Sequence, residues 1–158
     1  MMVLYGEMAN MTEEQITKKI LAWLMEHDWE IISYDFPQSG TGKYLHPNVD
    51  DRKEKTKNHK AFIPDIIAVK KETALFFENK NRFYLDDFIK IKSLKNKNIY
   101  SNAINKLLEN KNIKNIYYGI GAIDSKHFIE NANIYKCHVD FIVVVGNNVE
   151  FLVDGFEL

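Results

Sequence analysis

Two apolar runs separated by three charged residues constrain this chain most. Ala61-Phe62-Ile63-Pro64-Asp65-Ile66-Ile67-Ala68-Val69 and Thr73-Ala74-Leu75-Phe76-Phe77-Glu78-Asn79-Lys80 flank Lys70-Lys71-Glu72. They read as adjacent strands joined by a short polar turn. A hairpin folds the outer ends together, so Asp65, Glu78 and Lys80 are expected to converge at one edge of a sheet. On a strand Glu78 and Lys80 share a face and Asn79 takes the other. Two carboxylates and an amine gathered in this way can hold a hard divalent cation. They can also set a positive charge beside a water or a phosphate.

A chain of 158 residues with 46% hydrophobic content can build a full core, and residues 1–158 are expected to form a single domain. One cysteine, Cys137, rules out an internal disulfide framework and fits a reducing, cytoplasmic setting. Its expected place is a buried position at a strand start. The N-terminus lacks a basic region followed by an apolar run, and no stretch reaches the length of a membrane span, so neither a signal peptide nor a span is expected. The five histidines show no metal-ligand spacing. No phosphate-binding glycine loop, dinucleotide fingerprint or Ser-His-Asp pattern is present.

Net charge is -1, but the charges are segregated. Residues 43–114 carry 17 Lys and Arg against 9 Asp and Glu, a net of +8. The rest carry 4 against 13, a net of -9. A positive field surrounding the carboxylates suits a polyanionic substrate.

Thr12 and Gln15 form a capping box, with Met11 and Ile16 as a hydrophobic staple, and predict a helix over about Glu13 to Glu26. Ile16, Ile20, Trp23, Leu24 and His27 make its apolar stripe, and Glu13 lies near the middle of that stripe. A strand is expected over 29–36. Pro37 and Ser39-Gly40-Thr41-Gly42 then break the chain, and a charged, aperiodic insertion reaches Lys60, about 37–60 in all. After the hairpin, a helical region over 85–108 carries Lys95-Asn96-Lys97-Asn98, which can split it. Lys90, Lys92, Lys95 and Lys97 suit general phosphate steering. A strand over 114–120 follows, where Gly119 and Gly121 allow close backbone approach. Tyr100, Tyr117 and Tyr118 are expected in the core or an interface. A short helix within 124–135 and a hairpin over 139–153 around Gly146-Asn147-Asn148 complete the chain. The order specifies an α/β fold with a mixed central sheet and helices on its faces.

Pro64-Asp65 followed after one strand-turn-strand by Glu78-Asn79-Lys80 resembles the PD-(D/E)xK nuclease superfamily. The resemblance runs from about Met11 to Ile123. It implies a restriction-endonuclease-like αβββαβ core, with the last hairpin added to it. It further implies Mg²⁺ (Mn²⁺ as a substitute) held by Asp65, Glu78 and the main-chain carbonyl of Asn79. Lys80 would act on the water or the phosphate. Members often carry a Glu on the first core helix, and Glu13 matches that position, although a first-turn acid is also favoured by the helix dipole alone. The implied activity is endodeoxyribonucleolytic, of the type found in restriction-modification. A homodimer is expected, because cutting a duplex needs two sites. Ser39, Lys43, Arg52, Lys53, Lys55, Lys57, Lys60 and Arg82 are the expected DNA contacts. The Ser39-Gly40-Thr41-Gly42 loop also resembles that of archaeal-type junction resolvases, although Asp65 lies 23 residues beyond Gly42. A non-catalytic DNA-binding subunit with the same fold, and a generic α/β domain whose motif is coincidental, are the remaining alternatives.

Overall fold

A computed structural model describes residues 11–36, 41–48 and 61–152. Helix α1 spans Glu13–Glu26. Its capping box is formed from both sides: the Gln15 N–H donates to Thr12 Oγ1 at 3.1 Å, and the Thr12 N–H donates to Gln15 Oε1 at 2.9 Å. The helix ends where Asp28 takes a positive φ of 69°. Met11 packs against the cluster that contains Ile16, as a staple would.

Strands β1 (Glu30–Tyr34), β2 (Ile66–Lys70) and β3 (Thr73–Asn79) pair antiparallel. Lys71 turns the β2–β3 hairpin with φ 55°. Helices α2 (Leu85–Lys97) and α3 (Ser101–Leu107) then carry the chain to β4 (Asn115–Ile123), parallel to β3. The break between them falls at Asn98, left-handed at φ 52°, within the predicted Lys95–Asn98 stretch. Helix α4 (Lys126–Tyr135) leads to β5 (Phe141–Val145), parallel to β4, and β6 (Val149–Phe151) closes the last hairpin. Strand order follows chain order from β1 to β6. Among the described residues the fold is thus α/β, with a six-stranded mixed sheet and four helices.

Side-chain alternation divides the core in two. One face of the sheet, with Ile66, Ala68, Leu75, Phe77, Phe141 and Val143, packs on α1 through Ile16, Ile20 and Leu24. The other packs Ile67, Val69, Ala74 and Phe76 on α2 and α3. On that same face Ile120, Ala122, Ile142 and Val144 meet α2 and α4. Tyr100 is buried, and Tyr118 packs against both clusters of this face. Burial, with the charge of Asp140 adding, pushes the Tyr118 phenol up to about 12.

Two expectations are corrected. Cys137 is exposed. It sits in the 3-10 turn Lys136–His138, because strand β5 begins only at Phe141. Strand β4 runs three residues past its predicted end. Gly121, Ala122 and Ile123 pair with β5, and burial outweighs the weak strand preference of glycine.

Candidate active site

The hairpin register brings the motif together. Ile66 stands opposite Phe77, and the Asp65 N–H donates to the Phe77 carbonyl at 2.9 Å, which sets Asp65 across from Glu78. The Asn79 N–H donates to Asp65 Oδ2 at 2.7 Å, locking the carboxyl over the end of β3. Glu78 is 7% exposed although charged, and it points to the α2 side of the sheet. There Lys90 Nζ lies 2.8 Å from its Oε1.

Asn79 takes the opposite face. Its side chain is buried under α1, and its amide donates to Thr17 Oγ1 at 3.1 Å. It is therefore the main chain of Asn79 that faces Asp65. Gly121 makes room for this arrangement: a Cβ there would meet Asn79 Oδ1 and Ile20. Next to it the Lys80 N–H donates to the Gly121 carbonyl at 2.9 Å. Gly121→Ala is expected to lower stability by about 1–3 kcal/mol by forcing these neighbours apart, as measured by denaturant unfolding.

Lys80 stands between the two layers. Its ammonium is 3.8 Å from Glu13 Oε1 and 5.6 Å over the Tyr84 ring. Burial works against its charge, but Asp87, Glu78, Glu13 and Asp65 together hold its pKa above the ordinary lysine value. Glu13 thus joins the group through Lys80, from the first turn of α1. Arg82 is exposed on the same connection. Its Nε donates to Tyr84 Oη at 2.6 Å, and its guanidinium carbon lies 4.9 Å from the Tyr84 ring centre, so both cations share that ring.

Asp65 is the electrostatically strained member. Burial pushes its carboxyl up from 3.8 to about 8. Glu78 adds to this, first as a like charge and then as a hydrogen-bond partner, against the pull of the Asn79 N–H and Lys80. Asp65 therefore keeps its proton at neutral pH, shared toward Glu78. A close carboxyl pair of this kind is the donor set that a hard cation would neutralise, with main-chain oxygen and water completing it. Among the described residues, no group of three or more His, Cys, Asp or Glu side chains forms a metal-holding set. A cation here would rest on two carboxylates.

Two members of the neighbourhood were not expected at the site itself. Asp87, in the first turn of α2, is raised by burial to about 6. Lys80 and Lys90 pull against that rise while Glu78 and Glu13 add to it. Its Oδ2 is buried without a hydrogen-bond partner. The other is Lys90. Asp87, Lys90 and Leu94 recur at helical spacing, and Leu94 is buried, so the two charged residues border the apolar stripe. That spacing was the available signal.

Of the expected DNA contacts, Lys43 is exposed on the segment 41–48. Backbone bonds between Leu45 and Phe62 tie this segment to the chain entering Asp65. The Gly42 N–H donates to Asp35 Oδ1 at 3.0 Å, and the Asp35 N–H donates to the Asp65 carbonyl at 2.9 Å. Ser39, Arg52, Lys53, Lys55, Lys57 and Lys60 lie outside the described residues.

Comparison with known proteins adds no relative. No family model, curated protein or solved structure matches the chain. Among the described residues, no helix is long and apolar enough to cross a membrane.

Proposed function

We propose that this chain is a divalent-cation-dependent endodeoxyribonuclease with a restriction-endonuclease-like core of the PD-(D/E)xK kind. The observation that carries the proposal is the carboxyl pair of half-buried Asp65 and buried Glu78, with Lys80 beside it. A carboxyl driven to about 8 by burial and a like neighbour is costly to keep, and such groups cluster at functional sites. The order of α1, three antiparallel strands, α2 and a strand parallel to β3 supports the same core.

In this reading Asp65, Glu78 and the Asn79 carbonyl hold Mg²⁺, or Mn²⁺ in its place. The ion, when bound, supplies charge that polarises a phosphate and acidifies water. Lys80 orients the attacking water or stabilises charge developing on the phosphate, and Glu13 positions its ammonium. Arg82, Lys43 and the basic stretch before Asp65 bind the DNA backbone. A homodimer would present two such sites to a duplex. A structure-specific, junction-cutting enzyme is the second reading. It is favoured by the tether of Thr41 and Gly42 to the end of β1, where the Thr41 hydroxyl donates to the Tyr34 carbonyl at 3.0 Å.

Incubating the purified protein with plasmid DNA and a synthetic four-way junction, with Mg²⁺, Mn²⁺ or EDTA, tests both. Cation-dependent cleavage of plasmid supports the first reading, and selective cleavage of the junction supports the second. Inertness on duplex, single-stranded and branched DNA with either cation defeats the enzyme proposal. DNA binding without cleavage would mark a non-catalytic subunit.

A further inference from the structure

Glu78 is fixed in the sheet while its partner is not. The Glu78 side chain is 9% exposed, whereas that of Lys90 is 46% exposed and reaches in from α2 on a flexible stem. The Lys90 ammonium lies 2.8 Å from Glu78 Oε1. The same ammonium sits 4.9 Å above the Phe62 ring, a second favourable position that needs no carboxylate. Beside it lies a cavity of about 400 Å³ lined by Ala61, Phe62, Lys90, Ser93, Leu94 and Tyr100. Lys80, by contrast, pairs with Glu13 across the other side of the group.

We propose that Lys90 is the resident counter-ion of the site: it occupies at Glu78 the place of charge that a divalent cation takes, and the cation binds by displacing it. The inference rests on the cation-site reading of Asp65 and Glu78. An anion as buried as Glu78 needs a positive partner at all times. Lys90 supplies one until the cation arrives. It can then swing along the cavity wall and stay over Phe62. The device keeps the cation-free protein folded and sets the cation concentration at which the site loads, because the ion must overcome an existing ion pair.

The test is thermal unfolding in EDTA and across a titration of MgCl₂ or MnCl₂, for wild type, Lys90→Met, Lys90→Arg and Lys92→Met. Lys92 is exposed on the same helix and serves as a charge control. Lys90→Met is expected to unfold at lower temperature in EDTA. It should reach half its cation-induced stabilisation at about 3- to 10-fold lower concentration, the scale of one partly exposed ion pair. Lys90→Arg should stay near wild type, and Lys92→Met should move less than about twofold. An unchanged or higher half-point in Lys90→Met overturns the role of Lys90, as does an equal change in Lys92→Met. Wild type that cleaves DNA and is stabilised by the cation, with Lys90→Met identical to it, sinks this inference alone. No cation-induced shift in wild type sinks the cation site with it.

Discussion

Asp65→Asn is expected to abolish cation-dependent cleavage and, in EDTA at pH 8, to make the protein more stable than wild type. Asparagine keeps the shape of the side chain. Its Oδ1 can accept from the Asn79 N–H, and its amide can donate to Glu78, so the strained carboxyl pair becomes an ordinary hydrogen bond. The sign follows from proton linkage. The folded protein holds the Asp65 proton up to about pH 8, while the unfolded chain releases it near 3.8. Between those values the folded state binds the extra proton, so wild-type stability falls as pH rises. The loss is complete above about pH 8. Asparagine removes that slope, so the gain of the variant should be small near pH 4 and largest above 8. Displacing a proton equilibrium tenfold is worth about 1.4 kcal/mol, and a chain of this size gains about 2–4 °C per kcal/mol. A rise in Tm of about 5–10 °C at pH 8 is expected. Mg²⁺ should raise the Tm of wild type and leave the variant unmoved. A variant that is inactive and also less stable at pH 8 would contradict the strained pair.

Lys80→Met should also silence the proposed cleavage, but with the opposite effect on stability. Removing a preorganised charge at the reacting centre costs about 10²–10³ in kcat, and the KM for DNA is expected to change little. Stability should drop by about 1–3 kcal/mol, because Asp87, Glu78, Glu13 and Asp65 lose the cation between them. The loss needs those carboxylates ionised. It should therefore be smaller near pH 5, where Asp87 and Asp65 hold their protons, and grow as pH rises through about 6 for Asp87 and about 8 for Asp65. Urea unfolding at the two extremes measures it. Equal stability loss at both would mean that Lys80 acts through packing. Taken together, the two variants separate chemistry from folding: both lose activity, and they move stability in opposite directions.

Local signals made much of this legible in the chain. The Thr12–Gln15 box and the Ile16–Ile20–Leu24 stripe place α1 at its observed bounds, because capping and periodicity act within a few residues. The alternation in the β2–β3 hairpin does the same for Asp65, Glu78 and the opposed Asn79. Asp87 and Lys90 were missed as members of the site because their importance is not local. Each becomes significant only once α2 folds back across β3, and a lysine beside an apolar stripe looks like any solvated flank. Cys137 was misplaced because an apolar run beginning at Val139 does not reveal that a 3-10 turn delays β5. The partial burial of Glu13 likewise depends on which residue meets it, and that residue, Lys80, lies on another element.

The order of the sheet carries one more consequence. Every strand lies beside its predecessor in the chain, so the sheet can grow by successive additions, across connections that are short within the two hairpins and longer from β1 to β2 and from β3 to β4. Helix α1 is the exception. It precedes all six strands, yet the Trp23 ring lies tilted 5.4 Å from that of Phe151 on β6, and Ile16, Ile20 and Leu24 share a cluster with Val143 and Val145 on β5. The docking of α1 thus unites the most distant described parts of the chain in one event. The same event buries Asn79 beneath Thr17 and sets Glu13 beside Lys80, so the candidate site is completed only when the fold itself is.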